Sequence, residues 1–144
     1  MDLRPLIQTL ADGSFHSGAS LGRQLGVTRT VIGRRVEALR GMGIEIHSVT
    51  GKGYRLPGPL ELMSVARILE LLGADKRLWS GHIDLLFSTD STNVDAMRKG
   101  QEGKSHYLVL AEHQANGRGR RGKAWVSPLG ANISFSMLWT FKTS

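Results

Sequence analysis

Seven consecutive residues, Gly117 Arg118 Gly119 Arg120 Arg121 Gly122 Lys123, hold four cations and three glycines. A packed core rejects that composition, so the segment belongs on a surface loop that meets anions. Guanidinium groups offer fixed forks of donors, and glycines let backbone amides approach the same anion closely. Three roles fit: a flexible basic linker, a single-stranded nucleic-acid contact of the Arg/Gly kind, or a phosphate cradle. Trp125, Ser127 and Pro128 follow at once and lead into an alternating strand, which argues against a free linker. Length and punctuation do not separate the other two.

A second polar group, Asp90 Ser91 Thr92 Asn93, precedes a helical pattern containing Val94 and Met97. Such side chains cap helix donors, and the positive helix end also suits an anion or a polar ligand. Capping is the commoner of the two roles. The five histidines, His16, His47, His82, His106 and His113, are too scattered to define a metal-ligand set.

The elements that must position these groups form two modules. The 144 residues carry a net charge of +7 and 40% hydrophobic residues, enough for one core or two small ones. That excess of charge favours anionic partners such as nucleic acid or phosphorylated ligands. With no cysteine, disulfides, thiolate metal sites and thiol nucleophiles are excluded. No apolar run approaches the ~18 residues of a membrane span, and the N-terminus has no signal-peptide pattern, so a cytoplasmic protein without membrane partners is expected. Residues 1–56 hold eight Lys or Arg against four Asp or Glu. Pro57 and Pro59 then mark a short stiff connection over 57–60, with a second domain over 61–144.

In the first module, Leu3, Leu6, Ile7 and Leu10 predict a helix ended by Asp12 Gly13. Ser17 caps a second helix carrying Leu21 and Leu25, and Gly26 Val27 turns the chain to Thr28, the cap of a third. There Ile32, Val36 and Leu39 form the buried stripe, Thr30, Gly33, Arg34 and Glu37 point away from it, and Arg29 and Arg35 flank them. The alternation from Ile44 to Val49, a turn at Thr50 to Gly53 and a return through Tyr54, Arg55 and Leu56 predict a hairpin. This order is that of a winged helix-turn-helix. It is expected to place Arg29, Thr30, Arg34 and Arg35 at a DNA major groove, with Lys52 and Arg55 of the wing on the backbone. The alternative is a protein-interaction module with an ordinary charged helix face. Glu37 counts against DNA through repulsion of phosphates, unless it accepts from a cytosine amino group.

In the second module, Leu62, Val65, Ala66, Ile68, Leu69 and Leu72 predict an amphipathic helix packed on a core. Strands are predicted at Ile83–Phe87, Tyr107–Ala111 and Asn132–Trp139, giving a mixed α/β layer. The middle strand delivers Gln114 into the basic loop.

The series Asp90 Ser91 Thr92 Asn93, Gln114, Gly117 to Gly122, Trp125, Ser127, Pro128, Gly130 and Asn132 resembles the bacterial biotin protein ligases. Phe15 His16 Ser17 Gly18, Leu25 Gly26 Val27 Thr28 Arg29 and Gly51 Lys52 Gly53 Tyr54 Arg55 Leu56 Pro57 resemble the winged helix of the bifunctional type, which also represses the biotin operon. The likeness covers essentially all 144 residues. It implies an α+β chain, a winged helix-turn-helix followed by an incomplete mixed α/β catalytic domain of biotin ligase type.

The implied reaction joins biotin and ATP, with Mg²⁺, into biotinoyl-5′-AMP and then transfers the biotinoyl group to a lysine of a biotin carboxyl carrier protein. By positional match, Ser91, Thr92, Asn93 and Gln114 hold biotin, while Arg118, Gly119 and Arg120 fold over ligand and adenylate. Arg118, Arg120 and Arg121 neutralise developing charge, and Trp125 shields the adenylate from water. A loop so rich in Gly and Arg is expected to order around its ligand. The resemblance also implies a ligand-dependent homodimer on palindromic operator DNA.

Lys123 stands where the family often has arginine. The family's Lys-Trp-Pro-Asn-Asp motif and its later segments have no counterpart here, which implies weak or no ligation by this polypeptide alone and an exposed sheet edge. Two other readings are a winged-helix regulator with a remnant ligand domain and, from the loop alone, an RNA-binding protein.

Overall fold

The structure is a computed structural model that describes residues 1–73, 75, 81–117 and 127–141. It divides into two compact units, Met1–Leu62 and Met63–Ser144.

The first unit contains α1 (Arg4–Leu10), α2 (Gly18–Gln24), α3 (Arg29–Gly41), β1 (His47–Val49) and β2 (Gly53–Arg55). Of the residues anticipated from helical spacing, Leu6, Ile7, Leu10, Leu21, Ile32, Val36 and Leu39 are fully buried, Leu3 and Leu25 are half-buried, and Ile46 and Leu56 join the core. Ser17 accepts from Ser20 N–H at 3.1 Å and Thr28 from Val31 N–H at 3.3 Å, so both predicted caps close their helices. The turn between α2 and α3 is tight because Gly22 lacks a side chain; a Cβ there would stand 2.7 Å from Val27 O.

The hairpin strand is shorter than its alternation predicts, since residues 44–46 are not in β1. A side chain has taken the backbone acceptor: Arg40 donates to Ile46 O through Nε at 3.2 Å and Nη2 at 2.6 Å. β1 and β2 pair antiparallel. Tyr54 also exchanges both backbone hydrogen bonds with His16 at 2.9 Å, tying the wing to the segment before α2. The segment over 57–60 is docked on this unit, with Leu60 N–H donating to Ala11 O at 2.9 Å.

The second unit contains α4 (Val65–Leu71), β3 (His82–Leu86), α5 (Thr92–Gln101), β4 (Tyr107–Ala111) and β5 (Ser134–Leu138). The sheet order is β3-β4-β5, with β3 parallel and β5 antiparallel to β4. α5 covers one sheet face, where Ala96 packs with Tyr107, Val109, Leu86 and Leu138. One expectation changes. α4 buries none of its residues, so its apolar stripe does not form core. On α5 the inward side is Thr92 and Ala96, while Val94 and Met97 are exposed. At Gly100 the helix approaches the sheet, where a Cβ would be in van der Waals contact with Leu138 at 3.4 Å.

Phe135 and Met137 of β5 point away from α5 and are exposed, as are neighbouring Ile133, Trp139 and Phe141. Below α5, Tyr107 donates to Asp84 at 2.9 Å; burial first, then that bond, pushes its phenol up to about 12. No helix among the described residues is long and apolar enough to cross a membrane.

Candidate functional site

In the second unit the polar residues gather where the parallel strands β3 and β4 end and α5 begins. In open α/β sheets this end is where ligands bind, because loops diverge there and helix N-termini point in. The strands continue side by side past their regular ends. Glu112 N–H donates to Leu86 O, Thr89 N–H to His113 O, Ala115 N–H to Thr89 O and Asn116 N–H to Asp90 O, at 2.9 to 3.1 Å. Asn116 Nδ2 also donates to Asp90 Oδ1 at 2.8 Å. The corner is therefore fixed over its length by backbone and side chain together.

Gln114 and Thr92 form its centre. Gln114 Oε1 accepts from Thr92 N–H at 2.8 Å and from Thr92 Oγ1 at 3.0 Å. Since the single Thr92 hydroxyl proton is used there, Ser136, 2.9 Å away, donates to Thr92 Oγ1. A glutamine just past β4 thus satisfies the first amide of α5, while Ser91 at the N-cap position makes no side-chain cap hydrogen bond. Pinning Oε1 orients the amide and leaves Nε2 without a hydrogen bond among the described residues. Thr92 is buried, Ser91 and Gln114 are half-buried, and Asn93 is exposed with Nδ2 3.7 Å from Met97 Sδ.

The corner so unites Ser91, Thr92, Asn93 and Gln114 from positions more than twenty residues apart. Arg118, Gly119, Arg120, Arg121 and Trp125, with Lys123, lie outside the described residues.

Four neighbours complete the surroundings, of which Glu112 and Ser134 were not singled out by sequence reasoning. Glu112 is buried and accepts from Met63 N–H at 2.6 Å; a lone Glu in an apolar run gave no sign of that partner. Ser127 and Ser134, both buried, lie with their hydroxyls 3.4 Å apart. His113 Nδ1 lies 2.9 Å from Ser88 Oγ, and burial lowers its imidazole below the ordinary 6.5. The neutral ring is the folded form, so its contribution to stability is present above 6.5 and lost as pH falls toward the depressed value. NMR titration is expected to show the His113 ring protonating at lower pH than an unperturbed histidine.

In the first unit, Arg29, Thr30 and Arg34 are exposed on α3, and Arg35 is half-buried beside them. Glu37, which had counted against an anionic partner, is paired to Arg40 at 2.6 Å. In the wing, Arg55 lies over the Phe15 ring at 4.8 Å and Lys52 at 5.7 Å, so an aromatic platform carries both predicted wing cations. The Nε atoms of Arg35 and Arg55 are buried and make no hydrogen bond among the described residues.

These two units define a class. Residues 3–55 match an HTH domain, and residues 85–144 match the biotin/lipoate A/B protein ligase family. The particular relatives combine both activities in their names. The chain is 43% identical over 134 residues to the bifunctional ligase/repressor BirA of Salmonella typhimurium and 42% identical over 134 residues to that of Escherichia coli. Each alignment covers 93% of this chain and 40% of the relative. It is also 34% identical over 85 residues to the biotin–[acetyl-CoA-carboxylase] ligase of Mycobacterium tuberculosis, covering 58% of this chain and 30% of that one. The chain is a homologue of the bifunctional ligase/repressors, and it spans about two-fifths of the length of these curated relatives.

Proposed function

We propose that this protein is a biotin protein ligase that also represses transcription of biotin genes, with the second unit contributing the biotin corner and the first the DNA contact. The observation that carries the ligand reading is Gln114. Its carbonyl is spent on Thr92, so its amide donors face a ligand in a fixed direction, suited to the ureido carbonyl of biotin. Ser91, Thr92 and Asn93 line the same corner.

In the proposed reaction a biotin carboxylate oxygen attacks the α-phosphorus of ATP. The bond to the β-phosphate breaks, and biotinoyl-5′-AMP and pyrophosphate form. A carrier-protein lysine amine then attacks the acyl carbon, loses a proton and releases AMP. Both steps gather negative charge, which Arg118, Arg120 and Arg121 offset; Gly119 allows close backbone approach and Trp125 excludes water. Mg²⁺ enters with the nucleotide's phosphates. The chain works in the cytoplasm, and adenylate occupancy promotes a homodimer that binds palindromic operator DNA.

Two measurements test this. Biotin with ATP is expected to protect Arg118 to Arg121 from trypsin. Duplex DNA is expected to bind with a log–log salt slope of about −0.9 per phosphate contact, weakened on Arg34→Ala. Duplex binding without protection would leave a DNA-binding regulator alone. Preference for poly-uridine over duplex would overturn the DNA reading.

A further inference from the structure

Tyr54 sits where the wing meets α3. Both of its backbone groups are hydrogen-bonded to His16, which fixes the residue. Its neighbour in β2, Arg55, faces Phe15, so alternation turns the Tyr54 side chain to the other side of the strand, toward α3. Two glycines receive it. A Cβ on Gly18 would stand 3.5 Å from the Tyr54 ring and 3.2 Å from Arg29 Cγ. A Cβ on Gly33 would stand 3.9 Å from the phenolic oxygen. The ring is thus held beside the Arg29 stem, and its hydroxyl emerges against the α3 face that carries Thr30 and Arg34. Any longer side chain at position 33 would cover it. That hydroxyl makes no hydrogen bond among the described residues, and it is not among the buried unpartnered atoms.

From this placement we infer that the Tyr54 hydroxyl is a DNA-backbone anchor, donating to a phosphate oxygen at the seam between α3 and the wing. The inference rests on the proposed DNA contact of the first unit. A tyrosine hydroxyl is a common phosphate donor, and one whose ring is already packed loses little freedom on binding. Being neutral, it displaces no counterion, so it strengthens binding without adding to the salt dependence. Arg29, held in the same place, adds to both. A phosphate contact reads no sequence, so its effect extends to any duplex.

The test uses the full chain and a labelled mixed-sequence duplex, with binding followed by anisotropy across a salt series. Tyr54→Phe is expected to weaken binding about tenfold, as for loss of a hydrogen bond to a charged group. The salt slope and the melting temperature stay at their wild-type values. Arg29→Ala, in contrast, lowers the slope by about one contact. Wild-type affinity in Tyr54→Phe would overturn the anchor while leaving the DNA reading intact. A loss accompanied by a lower melting temperature would overturn it too, by showing a packing role. Absence of salt-dependent duplex binding by the wild-type chain would overturn both.

Discussion

Replacing Gly53 with alanine is expected to cost the first unit at least about 3 kcal/mol and to abolish duplex binding. Two independent features require glycine there. Its φ is +106°, a region closed to side chains. A Cβ would also stand 2.1 Å from His16 O and 2.6 Å from Ser17 Cα. Both obstacles are backbone, so no rotamer change relieves them. The wing must part from the segment before α2, losing the paired hydrogen bonds between His16 and Tyr54 and the platform Phe15 gives to Lys52 and Arg55. For a unit of this size the loss corresponds to a fall in melting temperature of roughly 15 °C. Gly51 is the control. Its φ is +80°, but nothing lies within 4 Å of an added Cβ, so Gly51→Ala is expected to cost only about 1 kcal/mol of backbone strain. Equal effects of the two substitutions in thermal unfolding would contradict the steric account.

Thr92→Val is expected to destabilise the second unit by about 1–3 kcal/mol and to weaken biotin binding about tenfold or more. Valine keeps the shape but removes the hydroxyl that joins Gln114 to Ser136. The half-buried Ser136 hydroxyl loses its acceptor, and Gln114 keeps only the Thr92 N–H. An amide held by one bond instead of two no longer presents Nε2 in a fixed direction. Thr92→Ser retains the hydroxyl and is expected to retain most of the affinity. Calorimetric titration of biotin into the three proteins separates this from a volume effect, because a volume effect would harm the smaller serine variant more, whereas loss of the hydroxyl harms only the valine variant.

The helical frame of the first unit was legible because its signals are local. Leucine and isoleucine spacing marked the buried stripe, and Ser17 and Thr28 are caps whose acceptors bond three residues ahead. What escaped depended on contacts made from a distance. Residues 44–46 alternate as a strand should, yet Arg40 takes the Ile46 carbonyl. On α5 the buried side is Thr92 and Ala96, while the larger Val94 and Met97 are exposed. The periodicity of α4 shows which side would pack and says nothing of whether a partner lies there.

At the candidate site the residue types were readable and their division of labour was not. Ser91 has the chemistry of a cap yet makes no side-chain cap hydrogen bond, and the first amide of α5 is satisfied instead by Gln114. This matters for function, since it converts Gln114 from one of several polar residues into an oriented donor. Glu112 and His113 precede Gln114 directly, and only the folded unit reveals that one accepts from Met63, before α4, and the other lies against Ser88, just past β3.

The central claim is that this corner holds the biotin end of an acyl-adenylate. It is tested most directly by amide NMR of the full chain titrated with biotinoyl-5′-AMP. Saturable shifts are expected at Ser91, Thr92, Asn93 and Gln114, including the Gln114 side-chain amide, with the β1–β2 wing unmoved in the absence of DNA. Saturation elsewhere in the chain, with those four residues unshifted, would contradict it.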